Sequence, residues 1–473
     1  MNKVAKNINV NNIIVSNDLC CGCGVCGGVC PKSAIKIEWN KFGEYVPVVN
    51  YALCDGCSLC LKVCPFWDKN KNENELSTVI FKDKCVKHDN ILGSYIQLYS
   101  GYVKNSENRF NSASGGLATW LLSELLEKNI VDRVCCVEPI TRSDNLFKFS
   151  IFKDPLQLKT TSKSVYYPVE LSSIIKKIIV SNSRYAIVGL PCAIKSIRLA
   201  THVNRLLKKR ISILIGLVCG QQKSKFFAEY LCSISQNKPT QMISASFRVK
   251  NKNRHHLDHR FDYKCYSEDK VVEGHIYQTE GMGKLWGNDC FKLNSCNYCD
   301  DITSELSDIS FGDAVSEEYS YGNLGSNFVI VRDNTIDRIL NNGLEDGEIF
   351  LKKAPLSAVK NRQKGTILFK HRDLQHRLFM ANRQNNNRYI PKKRVLPKRR
   401  WNIYLNLKMN IRDRFRIISR TVYSNHKEDE NLILIMNKAL NSVFKENRLF
   451  YIFNSKVIRV LEHYYSRLTS LIQ

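Results

Sequence analysis

Eight of the nineteen cysteines in this 473-residue chain fall into two copies of one spacing. Cys20, Cys23, Cys26 and Cys30, followed by Pro31, give C-x2-C-x2-C-x3-C-P, and Cys54, Cys57, Cys60 and Cys64, followed by Pro65, repeat it without a gap. Cysteines three apart on a tight loop can place three thiolates around one iron–sulfur cube, while the fourth leaves on a turn toward the other cube. The spacing therefore assigns Cys20, Cys23, Cys26 and Cys64 to one [4Fe-4S] cluster, and Cys54, Cys57, Cys60 and Cys30 to a second. Cys21 is left over. Gly22, Gly24, Gly27, Gly28 and Gly56 let backbone N–H groups approach the sulfurs. A pair of four-cysteine zinc sites is the other use of C-x2-C pairs, but zinc ribbons need neither three consecutive steps nor a duplicated C-P ending. In a reducing compartment so many cysteines serve metals or catalysis rather than disulfides.

A second motif, Ser112-Ala-Ser114-Gly115-Gly116, opens a helical run from Leu117. Such a loop offers free N–H donors and a positive dipole end to a cofactor phosphate, although many are plain turns. Further on come Ser162–Glu170, Val188–Cys192, Gly216–Ser224, Cys296–Asp301 and Glu305–Asp313. Taken in this order after a two-cluster ferredoxin module, over roughly residues 15 to 350, these segments resemble the beta subunits of the coenzyme F420 (deazaflavin) hydrogenase/dehydrogenase family. The resemblance is closest to a bacterial branch that carries its own ferredoxin module, some members of which act in cell-surface polysaccharide pathways. It implies FAD bound between the loop (Ser112, Ser114, Gly115, Gly116) and the segments around Lys163, Pro191, Asp308, Gly312 and Asp313. It also implies a third [4Fe-4S] cluster near the flavin.

For that third cluster the candidate ligands are Cys192 and Cys219, each at the end of a hydrophobic run, and the metal-type pair Cys296-x2-Cys299. Four thiols at strand ends can converge, and the competing reading makes Cys192 and Cys219 ordinary buried apolar residues. Cys290, Cys135 and Cys136 are substitutes, the last two inside an apolar strand. Lys163 and Lys223 suit a phosphate or carboxylate, with solvated surface lysine as the ordinary fate. Asp308 and Asp313 suit either turn capping or hydrogen bonds to the flavin. His255, His256 and His259 read as an exposed hairpin with little claim to a metal. No Ser-His-Asp pattern or Walker-type loop points to hydrolysis or nucleotide triphosphates.

The elements that must hold these residues divide the chain in three. Residues 1–85 form a two-[4Fe-4S] ferredoxin-like domain. Residues 95–350, with an internal boundary near 175, alternate β-branched runs (Val131–Val137, Tyr185–Val188, Ile211–Val218, Phe328–Val331) with helical ones (Leu117–Glu127, Ser224–Ile234), which predicts an α/β flavin-binding body with a parallel or mixed sheet. Residues 351–473 are a basic helical tail, so the fold class is α+β. The tail holds 28 Lys and Arg against 7 Asp and Glu, a net +21 of the chain's +27. A segment so basic, with Lys392-Lys393-Arg394 and Lys398-Arg399-Arg400 just before Trp401, seeks polyanions. Trp401, Tyr404, Leu405, Ile411, Phe415 and Ile418 follow helical spacing, which suggests peripheral contact of 352–420 with an acidic membrane surface. The alternative is a helix docked on the body with its charged face in solvent; nucleic acid is a weaker partner because no nucleic-acid fold is evident. With no signal-like segment and no run long enough to span a bilayer, the expected location is cytoplasmic.

These features predict an iron–sulfur flavoprotein oxidoreductase. It would take electrons from a redox partner or ferredoxin-like donor and exchange hydride with an organic molecule that the sequence does not name. The alternative is a non-catalytic electron-transfer subunit docked on a partner enzyme.

Overall fold

A computed structural model describes residues 8–82, 84, 87–141, 145–236, 241–267, 270–314, 324–384, 389–399 and 403–448. Of the features singled out above, Arg400, Trp401 and the end of the basic tail, 449–473, lie outside them. The cysteine repeats flank a hairpin of β1 (Ile35–Trp39) and β2 (Tyr45–Val49), paired antiparallel from Ile35↔Val49 to Trp39↔Tyr45. After a small ribbon, β3 (Lys87–Asp89) with β4 (Gly93–Tyr95), the chain enters the body with β5 (Gln97–Val103). The body strands follow as β6 (Arg133–Pro139), β7 (Phe147–Phe152), β8 (Tyr185–Gly189), β9 (Ile211–Leu217), β10 (Gln241–Val249), β11 (Arg260–Ser267), β12 (Lys270–Tyr277), β13 (Ile309–Ala314), β14 (Ser326–Val331) and β15 (Ile349–Lys353).

Eight of them form one sheet in the order β15-β5-β14-β13-β9-β8-β6-β7. Its centre, β6-β8-β9-β13, is parallel and both flanks are antiparallel. The central strands are the near-continuous apolar runs expected of strands covered on both faces, and Ile187, Leu214, Ile215, Val329 and Ile330 are wholly buried. The expected mixed sheet is therefore present. It ends at Lys353 because β15 pairs with β5 along Ile349–Lys353, three residues past the sequence-based boundary. A separate antiparallel sheet, β10-β11-β12, stands beside it.

The N-terminal module shares a core with the body rather than hanging from a linker. Val25, Val29, Leu61, Val63 and Phe66 pack with Leu171, Ile174, Ile175, Ile194 and Ile197. Gly28 has to be glycine at this seam, because a Cβ there would lie 2.5 Å from that of Ile175. Leu171 N–H donates to the Cys23 carbonyl (2.9 Å), Ser196 Oγ to the Val63 carbonyl (2.6 Å), and buried Lys195 pairs with buried Glu73 at 3.0 Å.

The basic tail is an integral part of the molecule, which corrects the reading of its apolar stripe as a membrane-facing surface. On the helix Ile403–His426, Leu405, Ile411 and Phe415 are buried, and Ile411 and Phe415 join Phe226, Phe291 and Tyr423 in one cluster. Part of the tail's positive charge is matched by acids of the other two segments. Arg420 pairs with Asp18 (2.6 Å) and Glu44 (2.7 Å), Arg412 with Asp289 (2.6 Å), Lys393 with Asp300 (3.4 Å), and Arg394 chelates Glu305. Buried carboxylates require such partners, since taking a charge out of water costs several kcal/mol unless it is paired. No helix among the described residues is long and apolar enough to cross a membrane.

Candidate functional site

Each cysteine repeat runs into a one-turn helix, Val25–Gly28 or Leu59–Lys62, preceded by a residue in the left-handed region, Gly24 (φ 75°) or Ser58 (φ 57°). That reversal turns the chain around the sulfurs. Two cavities result: one is bordered by Cys20, Cys21, Cys23, Cys26 and Cys64, the other by Cys30, Cys54, Cys57 and Cys60. Each repeat thus supplies three sulfurs to one cavity and its last sulfur to the other. Gly22 N–H points at Cys20 Sγ (3.4 Å). Burial pushes the Cys20 and Cys26 thiols well above their ordinary range and Cys64 up to about 12, so an anionic form needs bound positive charge. The cysteines border a void in each case. Soft sulfur donors around a void fit a polynuclear cluster better than one ion.

The two cavities differ in depth. Cys57 is exposed, whereas Cys26 and Cys64 of the inner set are buried and Cys23 Sγ approaches Ser196 of the body at 3.6 Å. Cys21, which the spacing left without a role, lies near both Cys23 and Cys192, and those two sulfurs are the main cause of its raised pKa. Its thiol is the main reason that Cys23 is drawn down to about 7 against the effect of burial.

In the body, Cys192 sits in the first turn of the helix Pro191–Val203 after β8, Cys219 follows β9, and Cys296 and Cys299 flank the end of a 3-10 turn, Asn294–Tyr298. The sheet brings these four together, close enough that each of Cys219, Cys296 and Cys299 feels the charge of Cys192. Gln222 binds two of them, its N–H donating to Cys296 Sγ (3.2 Å) and its side chain to Cys192 Sγ (3.0 Å). Burial raises Cys296 to about 11. The substitutes lie elsewhere: Cys135 and Cys136 are buried in β6, and the buried Cys290 gives its carbonyl to Lys223 Nζ (2.7 Å). Lys223 is itself buried over Trp286 and Phe227, so it is not a surface lysine.

The loop at 112–116 is shaped as expected but much of its polarity is used internally. Gly116 (φ +85°) starts the helix Leu117–Glu127, and a Cβ on Gly115 would lie 2.8 Å from Asn327 N and from the Gly101 carbonyl. Ser112 Oγ donates to the Asn108 carbonyl, Ser114 Oγ to the Ser326 carbonyl (both 2.6 Å), and Leu117 N–H to Asn327 Oδ1 (3.2 Å). Lys250, which sequence reasoning passed over, pins the loop by donating to the carbonyls of Arg109, Ser114 and Leu324 at 2.7, 2.7 and 2.5 Å. Nothing in its sequence neighbourhood signals this role, because its acceptors are backbone atoms remote in the chain.

Several other candidates have internal partners as well. Asp308 accepts from Leu214 N–H (2.7 Å) and pairs with Arg198 (2.9 Å), a tie between β9 and β13. Pro191 is the first residue of a helix, where its missing N–H costs nothing. Gly312 leaves room for the Phe328 ring, and Asp313 pairs with Arg248 at 2.8 Å. Of the three histidines only His255 is exposed. His256 and His259 are buried, which corrects the exposed-hairpin reading: the segment between β10 and β11 folds back toward Gly325, with His256 Cδ2 3.4 Å from where a Cβ on Gly325 would stand.

Lys163 borders a cavity of about 260 Å3 with Asn111, Ser162 and Phe247, and burial lowers its pKa. This cavity meets a larger polar one, about 680 Å3, at Phe147 and Thr160. The larger one reaches Tyr45 and Glu170. Those residues adjoin the inner cysteines, since Cys20 Sγ lies 3.8 Å from the Tyr45 carbonyl and Glu170 abuts Gly24. Two cavities that share Phe147 and Thr160 as lining thus lie between the loop and the N-terminal module.

Comparison with known proteins gives a consistent result. Residues 98–176 match the family described as coenzyme F420 hydrogenase/dehydrogenase, beta subunit N-term, and residues 182–356 match its C terminus. An uncharacterized protein of Methanocaldococcus jannaschii is 24% identical over 252 residues, 52% of this chain and 84% of that protein. One subunit of the F(420)H(2) dehydrogenase of Methanosarcina mazei is 22% identical over 320 residues, 63% of this chain and 76% of its own. Among solved structures, a chain of the F420-reducing [NiFe] hydrogenase complex from Methanosarcina barkeri aligns with 17% identity and a TM-score of 0.47, covering 66% of this chain and 99% of that one.

Proposed function

The chain belongs to the coenzyme F420 hydrogenase/dehydrogenase beta subunit family, which is a family of oxidoreductase subunits, and we propose that it conducts electrons between three [4Fe-4S] clusters and a flavin. The observation that carries this reading is the grouping of twelve cysteines into three sulfur-lined sites, two in the N-terminal module and one at the ends of body strands. Bound cubes supply one-electron storage, and FAD supplies exchange between one- and two-electron chemistry.

The protein's own residues order these sites. Cys57 opens the outer quartet to solvent and so marks the side at which a redox partner protein exchanges electrons. Cys21 lies between the inner quartet and Cys192 of the body, on a short path from one sulfur set to the other. The two cavities between Lys163 and Tyr45 give an extended dinucleotide room beside the inner quartet, with Lys163 available to a phosphate. Ser112 and Ser114 then act by holding the loop, not by touching the cofactor. On this reading an organic substrate takes or gives hydride at the flavin, and a deazaflavin is one candidate class.

Anaerobic purification followed by iron, sulfide and flavin analysis tests the proposal. About twelve irons per chain with FAD is the expected result. About eight irons without flavin would favour a non-catalytic electron-transfer subunit. Material with neither iron nor acid-labile sulfide would end the redox reading.

A further inference from the structure

Between the helices Leu356–Ile367 and Asp373–Gln384, residues Leu368–Arg372 form a π-helical turn. Such turns carry one residue more than an α-helical turn and concentrate at functional sites. Here the central side chain is Lys370, only 2% exposed. Its Nζ donates to the Asp301 carbonyl at 2.7 Å and to Cys299 Sγ at 3.3 Å. Unlike the buried Lys195 and Lys292, it forms no ion pair with a carboxylate among the described residues; the buried Lys223 and Lys250 likewise have none, but they donate to carbonyl oxygens, whereas Lys370 also donates to a sulfur.

An ammonium buried without an anion costs several kcal/mol, so its counter-charge must be close. The anionic groups that the surroundings can supply are the sulfurs of Cys299, Cys219 and Cys296 and, after them, the Asp301 carboxylate, whose charges all act on Lys370. Neutral thiols do not serve; thiolates bound to iron do. Ligand set and lysine therefore explain each other. The position lies beyond residues 182–356, the stretch that matches the C-terminal half of the family, so the cation comes from this chain's tail.

We infer that Lys370 is the built-in counter-cation of the Cys192/Cys219/Cys296/Cys299 site and raises the reduction potential of the cluster held there above that of the N-terminal pair. A thiolate-ligated cube is anionic and gains a further negative charge on reduction, so a fixed cation in hydrogen-bond contact with one ligand stabilises the reduced form more. Lys195, whose charge acts on Cys64 of the inner quartet, is already paired with Glu73. Electrons entering at Cys57 would thus run downhill toward the body. This inference rests on the proposal that the four body cysteines hold a cluster.

The test uses the full-length protein and the variants K370Q, K370M and K370R, prepared anaerobically. Iron content is measured first, then each cluster's midpoint by EPR-monitored titration. The expected result is that K370Q keeps about twelve irons and one midpoint moves negative while two stay fixed, with K370R returning most of the shift. Should both neutral variants lose about four irons while K370R keeps them, the requirement for charge at this position is equally supported. Full iron with three unchanged midpoints in K370Q, or loss of iron in all three variants, would overturn the assignment. A wild-type protein holding about eight irons would instead remove the third cluster itself, a separate failure.

Discussion

The N-terminal quartets and the body quartet use the same donor atoms but are built on opposite principles. The eight cysteines of the two repeats lie within 45 positions, from Cys20 to Cys64, and are placed by local turns, two left-handed residues and two one-turn helices. The body's four are spread from Cys192 to Cys299 and meet because β8 and β9 are neighbours in a parallel sheet and the segment before β13 crosses their ends. Their cation comes from still farther along the chain. A locally built site depends on its own loop, whereas a site assembled by the sheet depends on every element that holds the sheet and the tail in place.

The largest expected effect separates the two kinds of site. C296A should remove about four irons and one cluster signal while leaving the two N-terminal signals; C60A should do the reverse, as read by iron analysis and EPR. If C60A also emptied the body site, the independence drawn here would be wrong.

Next comes the tail's hold on the body. R394A strips Glu305 of its partner in a buried network and should cost about 3–5 kcal/mol in chemical denaturation, with the body cluster lost before the N-terminal pair. At the seam between module and body, G28A drives a methyl into Ile175 and should cost about 1–3 kcal/mol by the same measurement.

Acid should also act on the body first. Burial holds His256 and His259 down at about 4, while in the unfolded chain they titrate near about 6.5. From about pH 6.5 down to about 4 the unfolded chain binds protons that the folded one refuses, so stability falls as pH drops through that window. The N-terminal 85 residues contain no histidine. Thermal melts over this range should therefore show a decline that H256N with H259N reduces, His371, also held down at about 4 by burial, contributing to the remainder. Smallest of all is K148A, which removes an exposed pair with Glu138 (3.2 Å) and should change stability by less than about 1 kcal/mol.

The sequence by itself determined what depends on near neighbours. The C-x2-C-x2-C-x3-C-P spacing predicted which sulfurs share a cavity, because so short a step on a tight loop leaves few alternatives. The helix Leu117–Glu127 and the apolar runs of the central strands were legible because periodicity and burial are local statements about a segment. Only the tertiary structure decided the rest. It gave Cys21 its place against Cys192, spent Ser112, Ser114 and Asp308 on internal hydrogen bonds, buried His256 and His259, and turned the stripe at Leu405, Ile411 and Phe415 inward. The tail's charge looked like an appetite for an external polyanion, because a sequence records the sign of each side chain but not its partner. Asp18, Glu44, Asp289, Asp300 and Glu305 answer it from up to 402 positions away. Pairing across such distances is fixed by how the sheet and helices pack, and no spacing rule along the chain encodes it.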